Sequence, residues 1–185
     1  MGFFDPSQYM IMHALIYRTE VLRKSGMELP KHTFYVDNIV AYQPLPYVEK
    51  LCYLDLDLYH YFIGREGQSV NESVMMKRID QQLKVTKIIM DCVDLSTVKS
   101  RKLERYLERF LSIMLAVSSI HLLMIGDSLA MKKRRAMWRY LEQKDPALYR
   151  RMRLSVGGFT YLPSKLGNRL SLAGYRLAKK VVKFQ

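Results

Sequence analysis

The stretch from Phe110 to Ile125 is the most apolar in the chain, interrupted only by Ser112, Ser118, Ser119 and His121 and preceded by Arg105 and Arg109. A bilayer span needs about 20 mostly apolar residues, so this stretch reads as a buried helix. The sequence beyond Asn71 agrees. Apolar residues recur at helical spacing through segments at about 72–94, 97–125, 128–143, 145–154 and 168–183, with few strand signals between them. Ser69 is followed three residues later by Glu72, the capping-box pattern of a helix start.

The first 70 residues read differently. Ser7 to Lys24 carries Met10, Ala14, Tyr17, Val21 and Leu22 at helical spacing, with Gly26 as the left-handed terminator and Pro30 beyond it. Lys31 to Pro46 reads as loop and strand. Val48 to Ile63 reads as a bent strand, from the partial alternation of Leu51, Tyr53, Leu54, Leu56 and Leu58. Gly64 to Gln68 reads as a turn. One or two strands do not make a stable sheet alone. The expectation is therefore an α/β fragment: a partial mixed sheet, a helix plus one to three strands, over residues 1–70. A basic, mainly α-helical region follows over 71–185.

Charge divides the chain elsewhere. The formal net charge is +13, and all of the excess lies from Lys132 onward, where 15 Lys/Arg face only 2 Asp/Glu. Such an end calls for an anionic partner, whether membrane surface, nucleic acid or phosphorylated substrate; otherwise it is a solvated basic face. Near its end, Leu170, Ala173, Leu177, Val181 and Phe184 share one helical face, and Arg169, Arg176, Lys179, Lys180 and Lys183 occupy much of the rest. A helix of this kind either lies in an anionic membrane interface or packs its stripe on the domain. No helix-turn-helix, zinc or RNA-binding signature is present, so nucleic acid is not the expected partner. Two cysteines, Cys52 and Cys92, exclude a disulfide framework and a zinc site of cysteines alone. With no basic leader or apolar run at Met1–Pro6, they give a cytoplasmic expectation, peripheral on the inner face of the plasma membrane.

Three segments carry a family likeness: Met12-His13-Ala14-Leu15-Ile16-Tyr17-Arg18-Thr19-Glu20-Val21-Leu22, then Leu29 to Asn38, then Tyr59-His60-Tyr61-Phe62-Ile63-Gly64-Arg65-Glu66-Gly67-Gln68-Ser69-Val70-Asn71. In this order they resemble the second half of the catalytic domain of bacterial family 2 glycosyltransferases, and the helical tail is similar in style. The resemblance implies a GT-A type fold with a nucleotide-binding half preceding Met1. It also implies transfer of a sugar from a nucleotide-sugar donor to a glycan, cell-wall or lipid-linked acceptor, and a divalent ion, Mg²⁺ or Mn²⁺, whose ligands lie mostly outside this chain. On that reading the chain is inactive by itself.

By the same resemblance Asp37 is the general base that accepts the acceptor's proton, although many relatives have Glu where Val36 stands. Phe34 and Tyr35 are placed to stack on a sugar ring. The plainer reading makes Asp37-Asn38 a turn. Arg65, Gln68 and Ser69 are the candidates for the donor diphosphate: Arg65 can fork onto phosphate oxygens, and Gly64 and Gly67 permit close backbone approach. His13 is read as an acceptor contact or as a half-buried polar residue. Asp55-Leu56-Asp57 spells a metal motif but stands in the wrong place for it, and reads as an exposed strand face. His32, His60 and His121 show no ligand spacing. The alternative function is a non-catalytic basic helical module on anionic membrane or nucleic acid.

Overall fold

A computed structural model describes residues 9–57, 59, 60, 62 and 71–181, with Val181 described in its backbone only. Nine α-helices lie among these residues: α1 (Thr19–Lys24), α2 (Asp37–Tyr42), α3 (Glu72–Lys77), α4 (Ile79–Cys92), α5 (Arg101–Ile125), α6 (Ser128–Lys144), α7 (Pro146–Arg153), α8 (Val156–Phe159) and α9 (Ser164–Val181). Short 3-10 turns occupy Met12–Ala14, Leu45–Tyr47 and Leu95–Thr97.

The centre of the fold is α5. Its start is set by Ser100, whose hydroxyl accepts from the Leu103 N–H, and its end by Gly126 in the left-handed region at φ +75°. By length and composition α5 could cross a membrane, but it is largely enclosed by protein. Tyr106, Leu107, Phe110, Leu111, Met114, Leu115 and Leu122 are all buried, and α3, α4, α6, α8 and α9 pack around it. Asp127 and Asp145 cap α6 and α7 by accepting from Ala130 N–H at 2.6 Å and Leu148 N–H at 2.8 Å.

Polar side chains fix how three of these helices face each other. Thr86 on α4 and Ser118 on α5 pair hydroxyl to hydroxyl at 3.0 Å, with the Gln82 amide donating to Ser118 at 3.5 Å. One residue on, Ser119 accepts from the Trp138 indole of α6 at 3.0 Å. All five residues are buried. A buried polar atom must find a partner, so each bond selects one rotation of its helix. The short α8 is wedged beside α5 by two glycines. The Gly157 N–H donates to Ser112 Oγ at 2.9 Å, and a Cβ on Gly158 would lie 1.9 Å from the Arg153 carbonyl oxygen.

The expected mixed sheet is not there: among the described residues the chain is all-α, with no strand. Three local readings change with it. The helix expected over 7–24 is broken, because Leu15 and Arg18 are extended. His13, Leu15 and Tyr17 are partly buried while Ala14, Ile16 and Arg18 are exposed, so burial there follows a period of two. The expected strand over 31–46 instead contains α2 and a 3-10 turn, whose Ile39, Ala41, Tyr42 and Leu45 enter the same core as α4 and α5. Between 48 and 62 the described residues have no regular structure, and Leu51, Tyr53, Leu54 and Leu56 are all exposed. Alternation does not make a strand where no neighbouring strand takes up the backbone hydrogen bonds.

Candidate functional site

Asp37 is the first residue of α2. The chain reaches it through Tyr35, a non-glycine residue in the left-handed region at φ +68°. That conformation is uncommon for a bulky side chain and persists only where surroundings hold it. Here the Asn38 amide donates to the Tyr35 carbonyl at 3.0 Å, and Asn38 in turn accepts from the Tyr9 hydroxyl at 2.8 Å. Tyr9 is itself stacked on the core residue Phe110 at 4.6 Å. The bend that presents Asp37 is therefore tied to α5.

Burial raises the Asp37 pKa; its own N–H, the His13 imidazole and the Asn38 N–H pull it part of the way back. Partial desolvation disfavours the charged carboxylate and makes it a stronger base when ionised. The His13 ring lies 4.8 Å from that of Tyr59. Asp37 and His13, 24 positions apart in the sequence, are thus near enough for the imidazole to act on the carboxylate. Burial also lifts the Tyr9 phenol, and the Asp37 charge adds to the effect.

Other expected contributors stand elsewhere. Phe34 has one face covered by the Arg78 guanidinium at 3.5 Å, and its N–H donates to Gln81 at 2.7 Å. That face is closed to a sugar ring. Arg65, Gln68 and Ser69 lie outside the described residues. The Ser69–Glu72 capping box is not what starts α3: Asn71 is the N-cap, so Glu72 stands at the first helical position and not at the third, where the box requires it. Asp55 and Asp57 are exposed, and Asp55 accepts from the Tyr53 hydroxyl at 3.2 Å. Among the described residues no three His, Cys, Asp or Glu side chains come together. The divalent ion implied by the resemblance therefore finds no ligand set among them. Asn38 enters the sequence reading only as part of a turn, and nothing in the spacing joins it to Tyr9, 29 residues away.

The basic end has its own geometry. Helix α9 docks through small residues: Gly167 and Ser171 are buried, and a Cβ on Gly174 would meet Phe159 at 2.7 Å. Further along, the Tyr175 hydroxyl and the Lys179 ammonium both reach Glu72 on α3, the latter at 2.8 Å. Those bonds hold the Glu72 pKa below its ordinary value. The stripe of Leu170, Ala173 and Leu177 is left exposed, and Leu166 extends it. At 100° per residue this stripe lies between the docked face and the sector of Lys165, Arg169, Arg176 and Lys180.

No family model, curated protein or solved structure matches this chain.

Proposed function

We propose that the chain carries the acceptor side of a sugar-transfer site and works against an anionic membrane surface. Asp37 is the observation that carries the first part. It is a half-buried carboxylate of raised basicity beside His13, held by a strained approach that the fold anchors to its core. Such strain and such a pKa recur where chemistry is done. The choice of chemistry follows the resemblance of residues 12–22, 29–38 and 59–71 to family 2 glycosyltransferases, without, among the described residues, the mixed sheet that the resemblance implied.

In the proposed reaction the acceptor hydroxyl oxygen forms a bond to the anomeric carbon of a nucleotide-sugar. The bond from that carbon to the phosphate oxygen breaks, its electron pair leaves with the nucleoside diphosphate, and the hydroxyl proton passes to Asp37. His13 and the ring of Tyr59 border the acceptor; Arg65, Gln68 and Ser69 are proposed for the donor diphosphate. The remainder of the donor site belongs to a polypeptide segment outside the described residues.

Neutral oligosaccharides titrated into the full chain should shift the His13 and Tyr59 resonances saturably. With a nucleotide-sugar-binding half supplied in trans, Asp37→Asn should lower turnover by about 10²- to 10⁴-fold, the usual contribution of a general base. Undiminished turnover in Asp37→Asn would remove the base assignment, and unmoved His13 and Tyr59 resonances would remove the acceptor site.

The membrane part rests on α9. An exposed leucine stripe beside an exposed basic face matches the charge and polarity of an anionic lipid interface. Vesicle partition tests it.

A further inference from the structure

A cavity of about 340 Å³ opens between α6, α7 and the start of α9. Its polar and aromatic lining includes Arg134 and Arg135 from α6, Tyr149 and Arg153 from α7, Tyr161, and Asn168 from α9. No carboxylate is among its lining residues, and no ion pair engages the three arginines among the described residues. We propose that this cavity is a binding site for a phosphoryl anion, a phosphate monoester or diphosphate.

Arg134 is only 5% exposed, and its Nε is buried with no hydrogen-bond partner among the described residues. Its terminal nitrogens donate to the Asn168 side chain at 3.0 Å and to the Thr160 carbonyl. Both acceptors are neutral, so they orient the guanidinium without balancing its charge. Burial brings its pKa down to about 10; Tyr161 opposes the shift, and the like charges of Arg153 and Arg135 add to it. A buried cation without a counter-charge is costly to any fold. The cost is met when an anion enters.

The cavity is also built to hold its cations still. Arg134 and Arg153 lie 4.9 and 5.1 Å from the centre of the same ring, Tyr161. Arg153 donates to the Tyr161 carbonyl, and Tyr161 is stacked at 4.8 Å on the buried Trp138. Guanidinium groups preset in this way lose little freedom on binding and match the oxygens of a phosphoryl group two at a time. The volume stands at the lower end of the range for small-ligand sites, about 300–1,000 Å³. The proposal does not depend on the sugar-transfer reading.

The test titrates inorganic pyrophosphate into the full chain by calorimetry at constant ionic strength. A saturable single site is expected. Arg135→Gln, an exposed position with no hydrogen bond to lose, should weaken it at least tenfold without moving the anion-free melting temperature. Arg153→Gln should weaken it similarly. Lys180→Gln, on the basic face of α9 away from the cavity, should leave it unchanged.

A second arm compares vesicles containing phosphatidic acid with vesicles of phosphatidylglycerol at equal surface charge. Preference for phosphatidic acid, lost in Arg135→Gln and competed by pyrophosphate, assigns the phosphoryl group to a lipid headgroup. Pyrophosphate binding with no such preference assigns it to a soluble ligand. No saturable binding, or equal weakening by Lys180→Gln and Arg135→Gln, overturns the site in favour of diffuse charge attraction.

Discussion

The outward stripe of α9 makes a prediction whose size follows from exposure. Leu170 is 52% exposed and Leu177 64% exposed. Fully burying a leucine contributes about 1.5–3 kcal/mol, so a lipid interface that covers what remains open on these two would gain roughly 2–3 kcal/mol in all. The basic residues beside them contribute on the order of 1 kcal/mol each near an anionic leaflet. The double substitution Leu170→Ser and Leu177→Ser should therefore lower partition onto vesicles with anionic lipid by roughly 30- to 150-fold, at about 1.4 kcal/mol per factor of ten. Raising the salt should weaken the wild type further through the charge part alone. Co-sedimentation with vesicles across a lipid titration reads both effects. Because neither leucine is buried in the protein, the thermal midpoint should stay where it is. Unchanged partition in the double variant would refute the reasoning, and so would a fall in partition accompanied by an equal loss of stability, since the stripe would then be packing on protein.

Two further outcomes follow from the core. Gly158→Ala places a methyl 1.9 Å from the Arg153 carbonyl oxygen; backbone must move at the α7–α8 junction, and chemical denaturation should show a loss of about 1–3 kcal/mol, the usual cost of overpacking. His121 is buried on α5 and its pKa is lowered by that burial, against the Val117 carbonyl and the Glu72 carboxylate. A folded pKa below the unfolded one means a contribution that is present above the unfolded value, about 6.5, and is lost as the pH falls through it toward the folded value. Asp37 and Glu108, with raised pKa values, act in the opposite sense at lower pH. Urea midpoints between pH 7 and pH 5 should fall less in His121→Gln than in the wild type; parallel slopes would count against a neutral buried imidazole.

The helical half of the chain was legible because its pattern and its punctuation agree. The segments expected at 128–143 and 145–154 form α6 over 128–144 and α7 over 146–153, where Asp127, Asp145 and Pro146 mark the starts. The expected 72–94 helix is interrupted at Arg78, whose backbone at φ −107° and ψ 22° leaves the helical region; no glycine or proline announces the break. The first half misleads because its aromatic and β-branched residues favour strands only where a pleated surface receives them. Ile39 and Val40 lie in a helix instead, since one side of that helix closes the core over α4. Strand preference is a statement about fitting a pleated surface, and no such surface exists among the described residues. At the site, the likeness to a known motif singles out Asp37 and His13, and the imidazole acts on the carboxylate through its charge. Tyr9 and Asn38 join them only through tertiary contacts that no spacing encodes. The leucine stripe of α9 was visible, but which way it faces was not. Gly167, Ser171 and Gly174 decide that, and small residues are a weak signal in a sequence.

The hydroxyl contacts among Thr86, Ser118, Ser119 and Trp138 have a consequence for how this molecule can vary over time. A leucine in the surrounding core can be exchanged for an isoleucine or methionine, and neighbours absorb the change in shape. A hydroxyl that answers one particular donor across an interface has no such substitute. The central helices are therefore free to drift in their oils but not in their alcohols, and relatives of this chain should be recognisable by which positions stay small and polar in the middle of α5.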